Sequence, residues 1–76
     1  MVEFIKFLLE NIVEHPEEIT VEETTDDIGN VLLIKANDKD KALIIGKNGR
    51  NIKAIRSLAS IISKREGKRI FIKIAD

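Results

Sequence analysis

Three features of the chain predict an α+β fold in the order α-β-β-α-α-β. Apolar residues recur at helical spacing over 2–14 and again after Gly49, and at strand spacing near 18–25, 30–36 and 70–74. All four glycines, Gly29, Gly46, Gly49 and Gly67, fall between those stretches and punctuate them. Two helical segments separate the second strand from the third, a crossover long enough for parallel pairing with a right-handed connection. The expected architecture is a three-stranded mixed sheet with three helices on one face. At 76 residues it is a single domain spanning 1–76.

The first helix rests on Phe4, Ile5, Leu8, Leu9, Ile12 and Val13, and Pro16 is expected to end it, because proline cannot continue the hydrogen-bond ladder. His15 then sits at the negative end of the helix dipole as a solvated residue. Ile19 and Val21 alternate with Thr20, Glu22 and Thr24, which reads as a half-buried strand. The turn-like Asp26-Asp27-Ile28-Gly29-Asn30 follows, and so short a connection calls for antiparallel pairing. Val31-Leu32-Leu33-Ile34 is a continuous apolar run, the pattern of a central strand. Asn37 and Asp38 are both good N-caps for a short helix over about 39–45 that stops at Gly46. In the third helix Ile52, Ile55, Leu58, Ala59 and Ile62 share a face, and Gly67 is a natural stop. Ile70, Ile72 and Ile74 alternate with Phe71 and Lys73 in the last strand.

Composition narrows the function. The chain has no cysteine, which excludes disulfides and thiolate metal sites, and no apolar run approaches the ~20 residues of a membrane span. Glu3, Lys6 and Glu10 break the N-terminal apolar positions, so a secretory signal is not expected and the cytoplasm is the expected location. The zero net charge conceals an asymmetry. Residues 1–34 hold nine acidic residues and one basic, net −8, whereas residues 35–69 hold eleven basic and three acidic, net +8. One acidic face and one basic face are the footprint of a protein that meets a polyanion. Catalysis fails on inventory: one histidine, no cysteine and no GxxxxGK[ST] phosphate loop. The acidic run Glu17, Glu18, Glu22, Glu23, Asp26 and Asp27 reads as a solvated edge. No cofactor and no metal are expected.

The stretch Leu43-Ile44-Ile45-Gly46-Lys47-Asn48-Gly49-Arg50-Asn51-Ile52 carries the chemistry. Two glycines three apart, between two helices, make a tight loop whose backbone a phosphate can approach without side-chain hindrance. The N–H groups after Gly46 lead into a helix N-terminus, which attracts anions, and Lys47, Arg50 and Lys53 add full charges. Bases are expected over an apolar floor of Ile45, Ile52 and Ile34. With no Trp or Tyr, and Phe4, Phe7 and Phe71 all away from the loop, the aromatic platform of an RRM or OB surface is missing.

These residues resemble the apolar-apolar-G-x-x-G-x-x-Ile core of the KH RNA-binding domain. The α-β-β-α-α-β order is that of its type II arrangement and covers essentially the whole chain. A stand-alone domain ending in EGKRIFIKI is further similar to the small bacterial single-KH-domain proteins of the KhpA family. The resemblance implies a non-catalytic single-stranded RNA binder, with Gly46, Lys47, Asn48 and Gly49 clamping about four nucleotides of backbone. It also implies a post-transcriptional regulator or RNA chaperone, self-association as a homodimer, and pairing with a larger KH-containing protein of the KhpB/Jag type. Two other roles fit the same fold: a dimerising protein–protein adaptor and a ribosome-assembly factor. For a partner interface the expected residues are Ile61 and Ala54, which lie off the apolar centre of the third helix, and Phe71 on the open side of the sheet.

Overall fold

The computed structural model describes residues 1–75. Helix α1 spans Val2–Glu10, strands β1 and β2 span Thr20–Thr25 and Asn30–Lys35, helices α2 and α3 span Asp38–Ile45 and Arg50–Glu66, and strand β3 spans Ile70–Ile74. The sheet order is β1-β2-β3, with β1 antiparallel and β3 parallel to the central β2. This is the mixed sheet expected from the sequence. Among the described residues, no helix is long and apolar enough to cross a membrane.

The sheet has one dry face. Leu32 and Ile34 of β2 and Ile72 of β3 point under the helices and are buried with Ile5 and Leu9 of α1, Ile44 of α2, and Ile52, Ile55 and Ala59 of α3. Residues opposite each other across the strands share a face. Glu22, Leu33 and Lys73 therefore form one row of the other face, and Thr24, Val31 and Phe71 the next. The acidic β1 lies at one edge of the sheet. The basic α3 packs against β3, at the opposite edge.

Three expectations are corrected. Helix α1 stops at Glu10, well before Pro16, because Asn11 folds back and its Nδ2 donates to the Phe7 carbonyl at 2.8 Å. His15 is consequently not at the end of α1. It precedes a short 3-10 turn, Pro16–Glu18, with its Nδ1 3.3 Å from Glu17. Phe4 and Leu58 are 39% and 40% exposed, since their helical angles carry them to the margins of the apolar faces.

What turns the chain after α1 is Asp40, a carboxylate with no exposed surface. Its two oxygens accept the main-chain N–H groups of Glu14 and His15, each at 3.1 Å, and Asn37 Nδ2 donates to it at 3.2 Å. Asn37 in turn caps α2 by accepting the Asp40 N–H at 2.8 Å. The first turn of α2 is thereby tied to the segment that follows α1.

Candidate nucleic-acid interface

Helix α2 ends at Gly46, whose N–H donates to the Ala42 carbonyl at 2.9 Å. The chain then makes a single 3-10 turn, Lys47–Gly49, and enters α3 at Arg50. Three residues of the loop carry positive φ: Gly46 at 75°, Asn48 at 57° and Gly49 at 75°. Asparagine is one of the few side chains that tolerate the left-handed region, which is a local reason for Asn48. The Gly49 N–H closes the turn on the Gly46 carbonyl at 3.1 Å. Among the described residues, the N–H groups of Lys47 and Asn48 find no acceptor. They are left at the head of a 17-residue helix, where the dipole favours an anion.

Three basic residues lie in or just after the loop that carries those two donors. Lys47, Arg50 and Lys53 are exposed, and Lys53 lies back along the loop, its Cε within 3.9 Å of where a Cβ on Gly49 would stand. Arg56, one turn on, is held elsewhere. Its guanidinium donates to the Ile72 carbonyl of β3 at 3.3 Å, which marks this flank of α3 as the β3 side. The loop thus presents backbone donors and three cations with little else around them, an arrangement suited to phosphate oxygens.

The apolar floor differs from expectation. Ile34 is fully buried and Ile52 is 7% exposed. Both face the helix–sheet core and support the surface from beneath. Ile45, 42% exposed at the end of α2, is the one member of that trio available to a base. On α3, Ala54 and Ile61 lie on the flank away from β3, with Ile61 58% exposed. Phe71 is exposed on the open face of the sheet.

Sequence reasoning missed Asn51. Its Nδ2 donates to the Leu43 carbonyl at 2.7 Å and straps α3 to the end of α2. An asparagine inside a first helical turn, where its propensity is poor, was the available signal. The strap also explains the asymmetry of the glycines. A Cβ on Gly46 would lie 2.7 Å from Asn51 Cγ, on a backbone (φ 75°, ψ 172°) essentially reserved for glycine. A Cβ on Gly49 would meet nothing closer than 3.9 Å. Gly46→Ala should therefore cost roughly 3 kcal/mol of stability, and Gly49→Ala only about 1 kcal/mol. Urea unfolding of the two variants checks this, and equal losses would contradict the strap.

One group of potential metal ligands occurs among the described residues. His15, Glu17 and Glu18 bring their ligand atoms within 4.8 Å of one another, all exposed.

Known proteins resemble this chain over its whole length. The family model described as KhpA/KhpB, KH domain matches residues 2–74. The protein named RNA-binding protein KhpA of Thermotoga maritima is 38% identical over 74 residues, covering 97% of this chain and 97% of the relative. Its namesake in Chlamydia pneumoniae is 33% identical over 76 residues, covering all of this chain and 97% of the relative. That of Chlamydia trachomatis is 36% identical over 78 residues, with the same coverage. With its helix–glycine loop–helix set on a three-stranded mixed sheet, the chain belongs to the KhpA/KhpB family of KH domains.

Proposed function

We propose that this protein is a non-catalytic binder of single-stranded RNA that grips the sugar–phosphate backbone with its Gly46–Gly49 loop. The observation that carries the reading is the pair of unpaired N–H groups on Lys47 and Asn48 at the head of α3, with the basic residues Lys47, Arg50 and Lys53 in or just after the loop. The relatives' name, RNA-binding protein KhpA, supports the ligand class. A clamp with so small a footprint reads few bases, so weak sequence preference and action on many transcripts follow, as a cytoplasmic post-transcriptional regulator or RNA chaperone.

The reading predicts the salt dependence. Lys47, Arg50 and Lys53 meet about three phosphates, and single strands lose about 0.7 in log–log slope per phosphate neutralised. A titration of an unstructured oligoribonucleotide against salt should give a slope near −2. A flat response would show that the basic loop is not the site.

A protein partner is part of the same proposal. Ile61 and Ala54 lie on the flank of α3 away from β3, and α1, which packs against α3, exposes Phe4 and Phe7. Apolar surface left wet on so small a domain marks an interface. This flank takes a second copy of the chain or a larger KH-containing protein of the KhpB/Jag type, the kind that the family description joins to KhpA.

A further inference from the structure

We propose that Asn51 is a positioning residue of the glycine-loop clamp: its amide occupies the carbonyl that would otherwise capture the Lys47 N–H, and so keeps that N–H open to phosphate. The inference rests on the reading of Gly46–Gly49 as the RNA-binding loop, and adds what holds that loop in its binding form.

The competition follows from helix geometry. In an α-helix each N–H donates to the carbonyl four residues back. Gly46 still obeys this rule, donating to Ala42 at 2.9 Å. By the same rule the next residue, Lys47, would donate to Leu43. Instead Asn51 Nδ2 stands on the Leu43 carbonyl at 2.7 Å, and among the described residues the Lys47 N–H has no acceptor. The amide fits only one way round, since a carbonyl oxygen accepts and Nδ2 is the donor.

The backbone at Gly46 does not make this choice by itself. Glycine enters the left-handed and right-handed regions with about equal ease. Gly46, at φ 75°, is therefore free to take helical angles and carry α2 one residue further. Asn51 opposes that route. It holds the acceptor the longer helix would need, and it lies so close to Gly46 that a Cβ there would stand 2.7 Å from its Cγ.

The same contact acts on charge. The last carbonyls of a helix carry its negative end, and α2 ends at Ile45, directly before the loop. With its Nδ2 on the Leu43 carbonyl, Asn51 covers one of the oxygens that would repel a phosphate. Asn51 belongs to the first turn of α3. One side chain thus quiets the negative end of α2 while leaving the positive end of α3 open.

The test replaces Asn51 with leucine, close to it in shape but without a donor, and separately with alanine. Exchange of the Lys47 amide with water is followed by NMR on the RNA-free chain. It should be fast in the parent and should slow at least about threefold in both variants, as a donor that has found an acceptor does. Affinity for an unstructured oligoribonucleotide should fall about tenfold, the worth of one hydrogen bond to a charged group. The salt slope should match the parent's, because no cation has been removed. A merely structural Asn51 would lower the urea midpoint and leave the Lys47 amide of the folded chain fast. That result, or a Lys47 amide already protected in the parent, would overturn the proposal. The Lys47→Asp, Asn48→Asp chain is measured alongside. Lost binding there with parental binding by both Asn51 variants would overturn the role of Asn51 and leave the clamp standing. Parental binding by the double variant would overturn the clamp, and this proposal with it.

Discussion

Replacing Asp40 with alanine should lower the stability of the domain by about 3 kcal/mol, the largest loss expected from any single polar side chain. The reason is that the Asp40 carboxylate is fully buried and accepts three part-buried hydrogen bonds. The N–H groups of Glu14 and His15 and the Nδ2 of Asn37 each lose their acceptor, and at part-buried bonds each loss lies at the low end of the range for an orphaned donor, about 1 kcal/mol. A domain of this length has about 4–11 kcal/mol in total. With a urea dependence of about 1 kcal/mol per molar, the unfolding midpoint should fall by about 3 M. Asp40→Asn keeps one acceptor oxygen and should lose about half as much. A midpoint shift under about 0.5 M for Asp40→Ala would contradict the assignment. The effect should reach the glycine loop proposed to bind RNA as well, because Asp40 anchors the first turn of α2 and the last turn of α2 delivers Gly46 to the loop.

Most of the fold could be read from spacing because spacing is what the core selects. Leu32 and Ile34 alternate with Val31 and Leu33 within one apolar run, and the pairing of β2 on both sides turns that run into one dry and one wet face. The glycine loop was equally plain, since Gly46 and Gly49 stand at the junction of two helical patterns. What spacing does not encode is a side chain acting on distant backbone. Asp40 sits in the charged run Asp38-Lys39-Asp40-Lys41 and looks solvated there. Its partners are main-chain donors more than twenty residues away, which carry no sequence signature. The end of α1 was misplaced for a related reason: Asn11 stops the helix through its own side chain before Pro16 has any say. From sequence Ile34 reads as part of the floor beneath the bases, because spacing carries no information on depth. Ile34 lies on the side of β2 that the helices cover, where it has no exposed surface.

The glycine-loop clamp is tested most directly by the double variant Lys47→Asp, Asn48→Asp. It replaces one cation and one neutral side chain with two carboxylates beside the free N–H groups that phosphate would engage. The backbone should hold, because both positions are exposed and aspartate shares asparagine's tolerance of the left-handed region that residue 48 occupies. Affinity for unstructured single-stranded RNA, measured by gel shift at low salt, should fall at least about tenfold, or roughly 1.4 kcal/mol. The circular dichroism spectrum and urea midpoint should match the parent's. An unchanged affinity in a variant that is still folded would contradict the clamp.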